Sequence, residues 1–134
     1  MDKHGVEKID TIIKDRQYAH KYLRERKSET YEAFLRMEKA TYSAGALDKK
    51  FKEMIAIGIS VVIDCESCLE WHIREALQAG ATEEQILETI EVGIEMGGGP
   101  ATVTSRFAIN VLEYYTKKNK IEQSYQGLRS LQYG

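Results

Sequence analysis

The apolar run from Met54 to Ile63 limits the possible folds more than any other part of the chain. Ser60 is its only polar residue, and apolar and polar positions do not alternate along it. Its β-branched residues would also suit a strand. However, the segment that begins after Asp48, a suitable N-cap, spans about four turns, and this length favours a buried helix. The run is far too short to cross a bilayer, so we expect it to form a core helix.

The rest of the chain is also predicted to be helical. Apolar residues recur at helical spacing in four further segments, residues 6–26, 30–42, 82–96 and 101–116. Thr82, with Gln85 three positions later, forms a capping-box signature, and the Gly-Gly-Gly-Pro sequence at residues 97–100 ends that helix. No hairpin signal and no internal repeat is present. These patterns predict an all-α bundle of about six helices with short connections.

Short polar residues mark further helix ends. Ser28 or Thr30 can cap the second helix, and Gly45 suits the position just after its end. Asp64 follows the apolar run directly, so we expect it to be the N-cap of the next helix. Trp71 lies on that helix and is expected to pack in the core.

Length and composition exclude several classes of protein. A chain of 134 residues is one domain by length, and its net charge of -2 gives no sign of binding to nucleic acid or an anionic membrane. We divide it into a helical arm (residues 1–29), a central domain (30–116) and a polar C-terminal tail (117–134). The N-terminus lacks an apolar leader, which favours the cytoplasm. A Cys-x-x-Cys pair there is more often redox-active or metal-binding than structural.

The chain's two cysteines and one of its three histidines form a reactive group. Cys65, Cys68 and His72 lie three and then four positions apart, on one face near the start of the predicted helix. The helix N-terminus and a protonated imidazole would favour a thiolate, whereas Asp64, Glu66 and Glu70 would disfavour it. The residues alone leave this balance open, but the spacing permits a disulfide between the cysteines.

Glu53 is the fourth candidate site residue. It begins the apolar helix, where burial would raise its pKa and make it a proton carrier, unless it lies on the surface. Together with Cys65, Cys68 and His72 it would also supply four ligands suited to zinc. Redox chemistry, metal binding and inert thiols are therefore three alternatives for these residues.

The pattern of Glu53, eleven residues, Cys-x-x-Cys at 65–68, three residues and His72 resembles the signature of the AhpD-like alkylhydroperoxidases. These proteins belong to the carboxymuconolactone decarboxylase family. Residues 79–86 and 96–101 also resemble segments of that family. The resemblance covers about residues 30–115, and it implies the all-α AhpD-like fold, assembled as trimers or hexamers.

The resemblance also implies an activity, the thiol-dependent reduction of hydroperoxides, with a thiol or dithiol protein as reductant and no cofactor. By position, Cys68 resembles the peroxidatic cysteine and Cys65 the resolving one. Glu53 and His72 resemble members of a proton relay. Ser67 stands where the best-characterised members have a second histidine. The family's decarboxylases lack the cysteine pair, so the resemblance favours peroxidase activity, and a thiol–disulfide carrier or sensor is the alternative.

An assembly of several copies is a further expectation. The helix over residues 82–96 carries Ile86, Ile90 and Ile94 on one side, and the next helix carries another apolar face. Gly93 and the glycines at 97–99 allow close backbone approach. Association would bury apolar surface that a small domain leaves exposed. We therefore expect a homo-oligomer, with a trimer or hexamer ahead of a dimer.

Overall fold

The computed structural model describes residues 1–133, and it contains six helices and no strand over that range. The helices are α1 (Lys3–Glu25), α2 (Glu29–Tyr42), α3 (Lys49–Ile63), α4 (Glu66–Gln78), α5 (Glu83–Gly97) and α6 (Gly99–Tyr133). The all-α prediction is confirmed, and so is the choice of a helix over a strand for the apolar run. None of the described helices is long and apolar enough to cross a membrane.

Helix α3 lies at the centre of the bundle and packs against α4, α5 and α6. One face of the helix is buried completely at Ile57 and Val61. They join a core with members from α1, α4, α5 and α6, among them Ile9, Leu69, Ile73, Ile86, Ile90 and Val111. The opposite face of α3 is exposed at Ile55, Ile59 and Val62. The prediction that the whole run lies in the core is therefore wrong for this face.

Close backbone approach at Gly93 of α5 is confirmed, but the partner helix is α3. A Cβ atom at Gly93 would lie 2.8 Å from Cβ of Val61 and 3.0 Å from the carbonyl oxygen of Gly58. Side-chain atoms do not fit at such distances, so only glycine allows the two helices to pack this closely.

Most of the predicted helix ends are confirmed. The Thr82 hydroxyl accepts a bond from Gln85 N at 3.1 Å, and the Gln85 side chain accepts one from Thr82 N at 3.0 Å. Ser28, rather than Thr30, caps α2. The expected break between α5 and α6 occurs at Gly98, whose φ of 70° is left-handed. Gly45 is not the residue after α2, because that helix ends at Tyr42 and Ser43 is already extended.

The junction between α3 and α4 differs from the prediction. Asp64 is the C-cap of α3, with a left-handed φ of 58°, and Cys65 is the N-cap of α4. Asp is one of the few side chains that tolerate this conformation, which lets one helix end and the next begin almost at once. The Asp64 carboxylate accepts a hydrogen bond of 2.8 Å from Thr104 on α6. This sharp junction places both cysteines beside the centre of the bundle.

The two ends of the chain form long helices. Helix α1 buries only Gly5 and Ile9, and α2 buries no residue fully. Helix α6 crosses residue 116 without a break, so the predicted polar tail is helical as far as it is described, and its side chains from residue 117 to 131 are exposed. The division of the chain into arm, central domain and tail stays a prediction.

Candidate redox site

The two cysteines form a disulfide at the start of α4. Their Cα atoms are 5.2 Å apart, and both residues are partly buried. The sulfur of Cys65 also accepts a bond from the backbone N–H of Cys68 at 3.2 Å. The pair therefore sits on the first turn of a helix, where free N–H groups favour negative charge on a thiol.

Glu53 and His72 form a hydrogen-bonded pair across α3 and α4. Nδ1 of His72 lies 2.6 Å from one carboxylate oxygen of Glu53, and the side chain of Glu53 is only 1% exposed. Lys49, one turn earlier on α3, donates to the other oxygen at 3.0 Å and to Glu75 at 2.9 Å. The structure thus brings the predicted glutamate and histidine together, and the alternative of a surface glutamate is wrong.

The charge state of Glu53 differs from the prediction. Burial alone would raise the pKa of this carboxyl, but the hydrogen bonds from His72 and Lys49 outweigh it and hold the pKa below its ordinary value. Burial, and then the charge of Glu53, raises the pKa of Tyr42, whose ring centre is 5.2 Å from that of His72. Glu53 is therefore an anion that orients the imidazole, and it is a poor proton donor at neutral pH.

Arg16 on α1 reaches the turn between the cysteines. Its guanidinium donates to the carbonyl oxygen of Ser67 at 2.8 Å, to the Ser67 hydroxyl at 3.0 Å, and to the carboxylate of Glu70. Glu70 is fully buried and accepts a second hydrogen bond from the Tyr115 hydroxyl. Burial, followed by this bond to Glu70, raises the pKa of Tyr115. No sequence signal links Arg16 to a motif 51 positions away, so sequence reasoning missed it.

Two of the three carboxylates that were expected to oppose a thiolate have cationic partners, whereas Asp64 accepts its hydrogen bond from the neutral hydroxyl of Thr104. Lys8 on α1 pairs with Glu66 at 2.7 Å, and Arg16 pairs with Glu70. These contacts offset negative charge near Cys68, and they come from the N-terminal arm. The pairing of Glu66 and Glu70 therefore reduces their opposition to a thiolate.

Trp71 lies at the edge of the site and not in the core, contrary to the prediction. It is partly buried, with the guanidinium carbons of Arg16 and Arg74 at 5.3 Å and 4.6 Å from its ring centre. Such cation–π contacts hold an aromatic ring at a partly wet surface. The ring also lines a cavity of about 440 Å³ that reaches Glu53, Tyr42 and Lys49. A small molecule in this cavity would therefore meet Glu53, whereas His72 and the two cysteines do not line it.

The metal alternative has no support in the geometry. Within residues 1–133, no group of three or more His, Cys, Asp and Glu side chains is placed to hold a metal ion. The two sulfurs are bonded to each other rather than converging on a common point with Glu53 and His72.

The fold and these side chains define a class of protein: a helical bundle with a Cys-x-x-Cys disulfide at a helix start, beside a buried glutamate–histidine pair. Residues 28–110 match the carboxymuconolactone decarboxylase family. The chain belongs to this family, as the sequence resemblance implied. The matched segment contains both cysteines, Glu53 and His72, whereas Arg16 lies outside it.

Solved structures and relatives agree with this assignment. A carboxymuconolactone decarboxylase family protein from Legionella pneumophila is 32% identical, with a TM-score of 0.73 over 83% of this chain and 96% of its own. A family member from Thermotoga maritima, whose description suggests a role in antioxidative response, is 26% identical, with a TM-score of 0.77 over 84% and 95%. Uncharacterized protein 4 in the cox locus of Paracoccus denitrificans is 42% identical over 82 residues, which is 61% of this chain and 74% of that protein.

Proposed function

We propose that the protein is a thiol-dependent alkyl hydroperoxide reductase that cycles through the Cys65–Cys68 disulfide. The observation that carries the proposal is the disulfide on the first turn of α4, one turn before a histidine that a buried carboxylate orients. If the two thiols were inert, they would need neither to form a disulfide nor to lie beside glutamates that are paired with Lys8 and Arg16. The antioxidative description of the Thermotoga maritima relative supports the same chemistry.

The proposed cycle has three steps. The Cys68 thiolate attacks the terminal oxygen of the hydroperoxide, the O–O bond breaks, and the alkoxide leaves as an alcohol after taking a proton. Cys68 is then a sulfenic acid. The Cys65 thiol attacks its sulfur, which forms the disulfide and releases water. A dithiol reductant returns two electrons and two protons through a mixed disulfide.

His72 and Glu53 have separate roles in this cycle. His72 uses Nδ1 for the bond to Glu53, which leaves Nε2 to take a proton from a thiol and pass it to the leaving alkoxide. Glu53 is the orienting group, because its anion fixes the tautomer and stabilises the imidazolium. Lys49 in turn holds the carboxylate of Glu53.

The test combines hydroperoxide consumption with mass spectrometry of the two cysteines. We expect the full chain with a dithiol reductant to consume an alkyl hydroperoxide, and Cys68→Ser to abolish this turnover. Cys65→Ser should trap a sulfenic acid on Cys68. If the natural chain consumes no more hydroperoxide than Cys68→Ser, the proposal is wrong.

A thiol–disulfide carrier or sensor is the second candidate function. It is favoured by Ser67, because the exposed residue between the cysteines has a hydroxyl, held by Arg16, that cannot serve as a base near neutral pH. A carrier would exchange disulfides rapidly with a dithiol protein while consuming little hydroperoxide. Trapping of a mixed disulfide with Cys65→Ser or Cys68→Ser, compared with the turnover above, separates the two functions.

The proposal includes a cellular setting and an assembly. A dithiol cycle needs a reducing donor, so we place the protein in the cytoplasm, with an organic hydroperoxide and a thiol or dithiol protein as its partners. The exposed apolar face of α3 supports a homo-oligomer, and the family resemblance favours a trimer or hexamer. Light scattering that gives the mass of one chain, unchanged on concentration, would contradict the assembly.

A further inference from the structure

An apolar groove runs between α3 and α5. It encloses about 700 Å³, and its lining includes Phe51, Ile55, Ile59 and Val62 from α3 and Val92 and Met96 from α5. These six side chains are between 42% and 73% exposed. The lining offers almost no polar groups that could orient a small ligand, so the groove is better suited to another apolar protein surface.

The end of α6 carries a second exposed apolar surface. We define residues 117–131 as the C-terminal extension. Ile121, Tyr125 and Leu128 follow one another at spacings of four and three, so they form a stripe along one face of the helix, and Leu131 continues it. All four side chains are more than half exposed. Within the described residues, therefore, nothing covers this stripe.

The charges beside the two surfaces are mostly opposite, except that Glu122 lies beside Tyr125 of the stripe and Lys50 lies over the ring of Phe51 in the groove. Helix α5 has five glutamates and no basic residue, and Glu88 and Glu95 flank Val92 on the rim of the groove. In the extension, Lys118 and Arg129 flank the apolar stripe. Among residues 1–133 these four side chains form no ion pair within the chain.

We propose that the C-terminal extension of one copy of this chain docks in the α3–α5 groove of a second copy. The stripe from Ile121 to Leu131 is about 15 Å long, and the groove from Phe51 to Ile63 is about 18 Å long at the rise of an α-helix. The side chains of the stripe fill the groove as the apolar face of a helix does in a helix-in-groove interface. Direct contact between two grooves would place the glutamates of two α5 helices together, which is unfavourable.

This interface goes beyond the proposed redox function and does not depend on it. None of the groove or extension residues takes part in the contacts of Cys65, Cys68, His72 or Glu53. A protein without peroxidase activity would therefore still assemble in this way, and the two proposals can fail separately.

The test compares two variants of the full chain that add the same charge on different faces of the extension. Tyr125→Glu lies in the stripe, and Gln126→Glu lies on the side away from it. We expect Tyr125→Glu to weaken self-association, measured by analytical ultracentrifugation, by about tenfold or more. Gln126→Glu should change it by much less, and circular dichroism should show the same helix content in both. Equal effects of the two variants, or a natural chain that is monomeric throughout, would overturn the proposal.

Charge exchange tests the orientation of the two surfaces. The pair of changes Glu88→Lys and Glu95→Lys should weaken association, and so should Lys118→Glu with Arg129→Glu. Combining all four should restore part of the loss, because opposite charges face each other again. If the four-site variant associates no better than either pair, the extension does not lie along this rim.

A photo-crosslinker at position 125 locates the partner surface directly. In a mixture of isotopically light and heavy chains, we expect crosslinks between light and heavy peptides of α3 or α5. Crosslinks that stay within one chain, or that lead to another surface, would overturn the proposal.

Discussion

The ion pair of Arg16 and Glu70 provides the sharpest test of how the N-terminal arm supports the site. Arg16→Met removes the guanidinium but keeps a flexible side chain of similar length. It leaves the fully buried Glu70 with the Tyr115 hydroxyl as its remaining hydrogen-bond donor. It also frees the carbonyl and hydroxyl of Ser67, which Arg16 binds at 2.8 Å and 3.0 Å.

The expected cost follows from burial. Breaking a buried ion pair by removing one partner typically costs about 3–5 kcal/mol, because a charge stays in a poorly solvated place. Arg16 is 24% exposed, so solvent reaches the pair and reduces this cost. We expect Arg16→Met to lower the free energy of unfolding by about 2–4 kcal/mol. The double variant with Glu70→Gln should lose less than half as much, since no buried charge is left and the amide oxygen still accepts from Tyr115.

Urea unfolding followed by circular dichroism measures this free energy. The matched control is Arg24→Met on the same helix, because Arg24 pairs with Glu32 at 2.9 Å while 55% exposed. An exposed pair contributes about 0–1 kcal/mol, so the control should unfold nearly like the natural chain. A loss for Arg16→Met no larger than that of Arg24→Met would refute the reasoning.

Three further predictions concern other contacts. Because the pKa of Glu53 is lowered from 4.5, its anion stabilises the fold above that pH, and unfolding titrations from pH 6 to 3 should show a steeper loss for the natural chain than for Glu53→Gln. Gly93→Ala should destabilise by about 1–3 kcal/mol in urea through its clash with Val61, whereas Gly127→Ala, with open space around it, should be neutral or stabilising. Thr82→Ala should cost about 1 kcal/mol in the same assay, and no loss would contradict the observed capping box.

The helices themselves were predictable because their causes are local. Periodic apolar residues, the Thr82–Gln85 capping box and the glycines at 97–99 act within a few residues, and sequence reasoning located them correctly. The junction at Asp64 failed for a local reason as well. An N-cap residue and a left-handed C-cap residue can both be Asp, and the sequence does not show that two helices meet there with no linker.

The burial of α3 was only half predictable. A run of apolar residues fixes that a helix forms, but it carries no information about which face meets the rest of the chain. Ile57 and Val61 are buried, whereas Ile55 and Ile59 on the same helix are more than half exposed. The packing of the neighbouring helices decides this: α3 packs mainly against α4 and α5, and this packing leaves Ile55 and Ile59 exposed.

The electrostatics of the site could not be derived from the motif because they come from residues far along the chain. From the sequence alone, Asp64, Glu66 and Glu70 lie beside two thiols and are expected to repel a thiolate. Folding brings Lys8 and Arg16 from α1 to Glu66 and Glu70, which offsets two of these three negative charges. Glu53 follows the same rule: burial would raise its pKa, but contacts with Lys49 and His72 lower it. The motif thus determines which atoms can react, while the packing of α1 and α3 around it determines the charges under which they would do so.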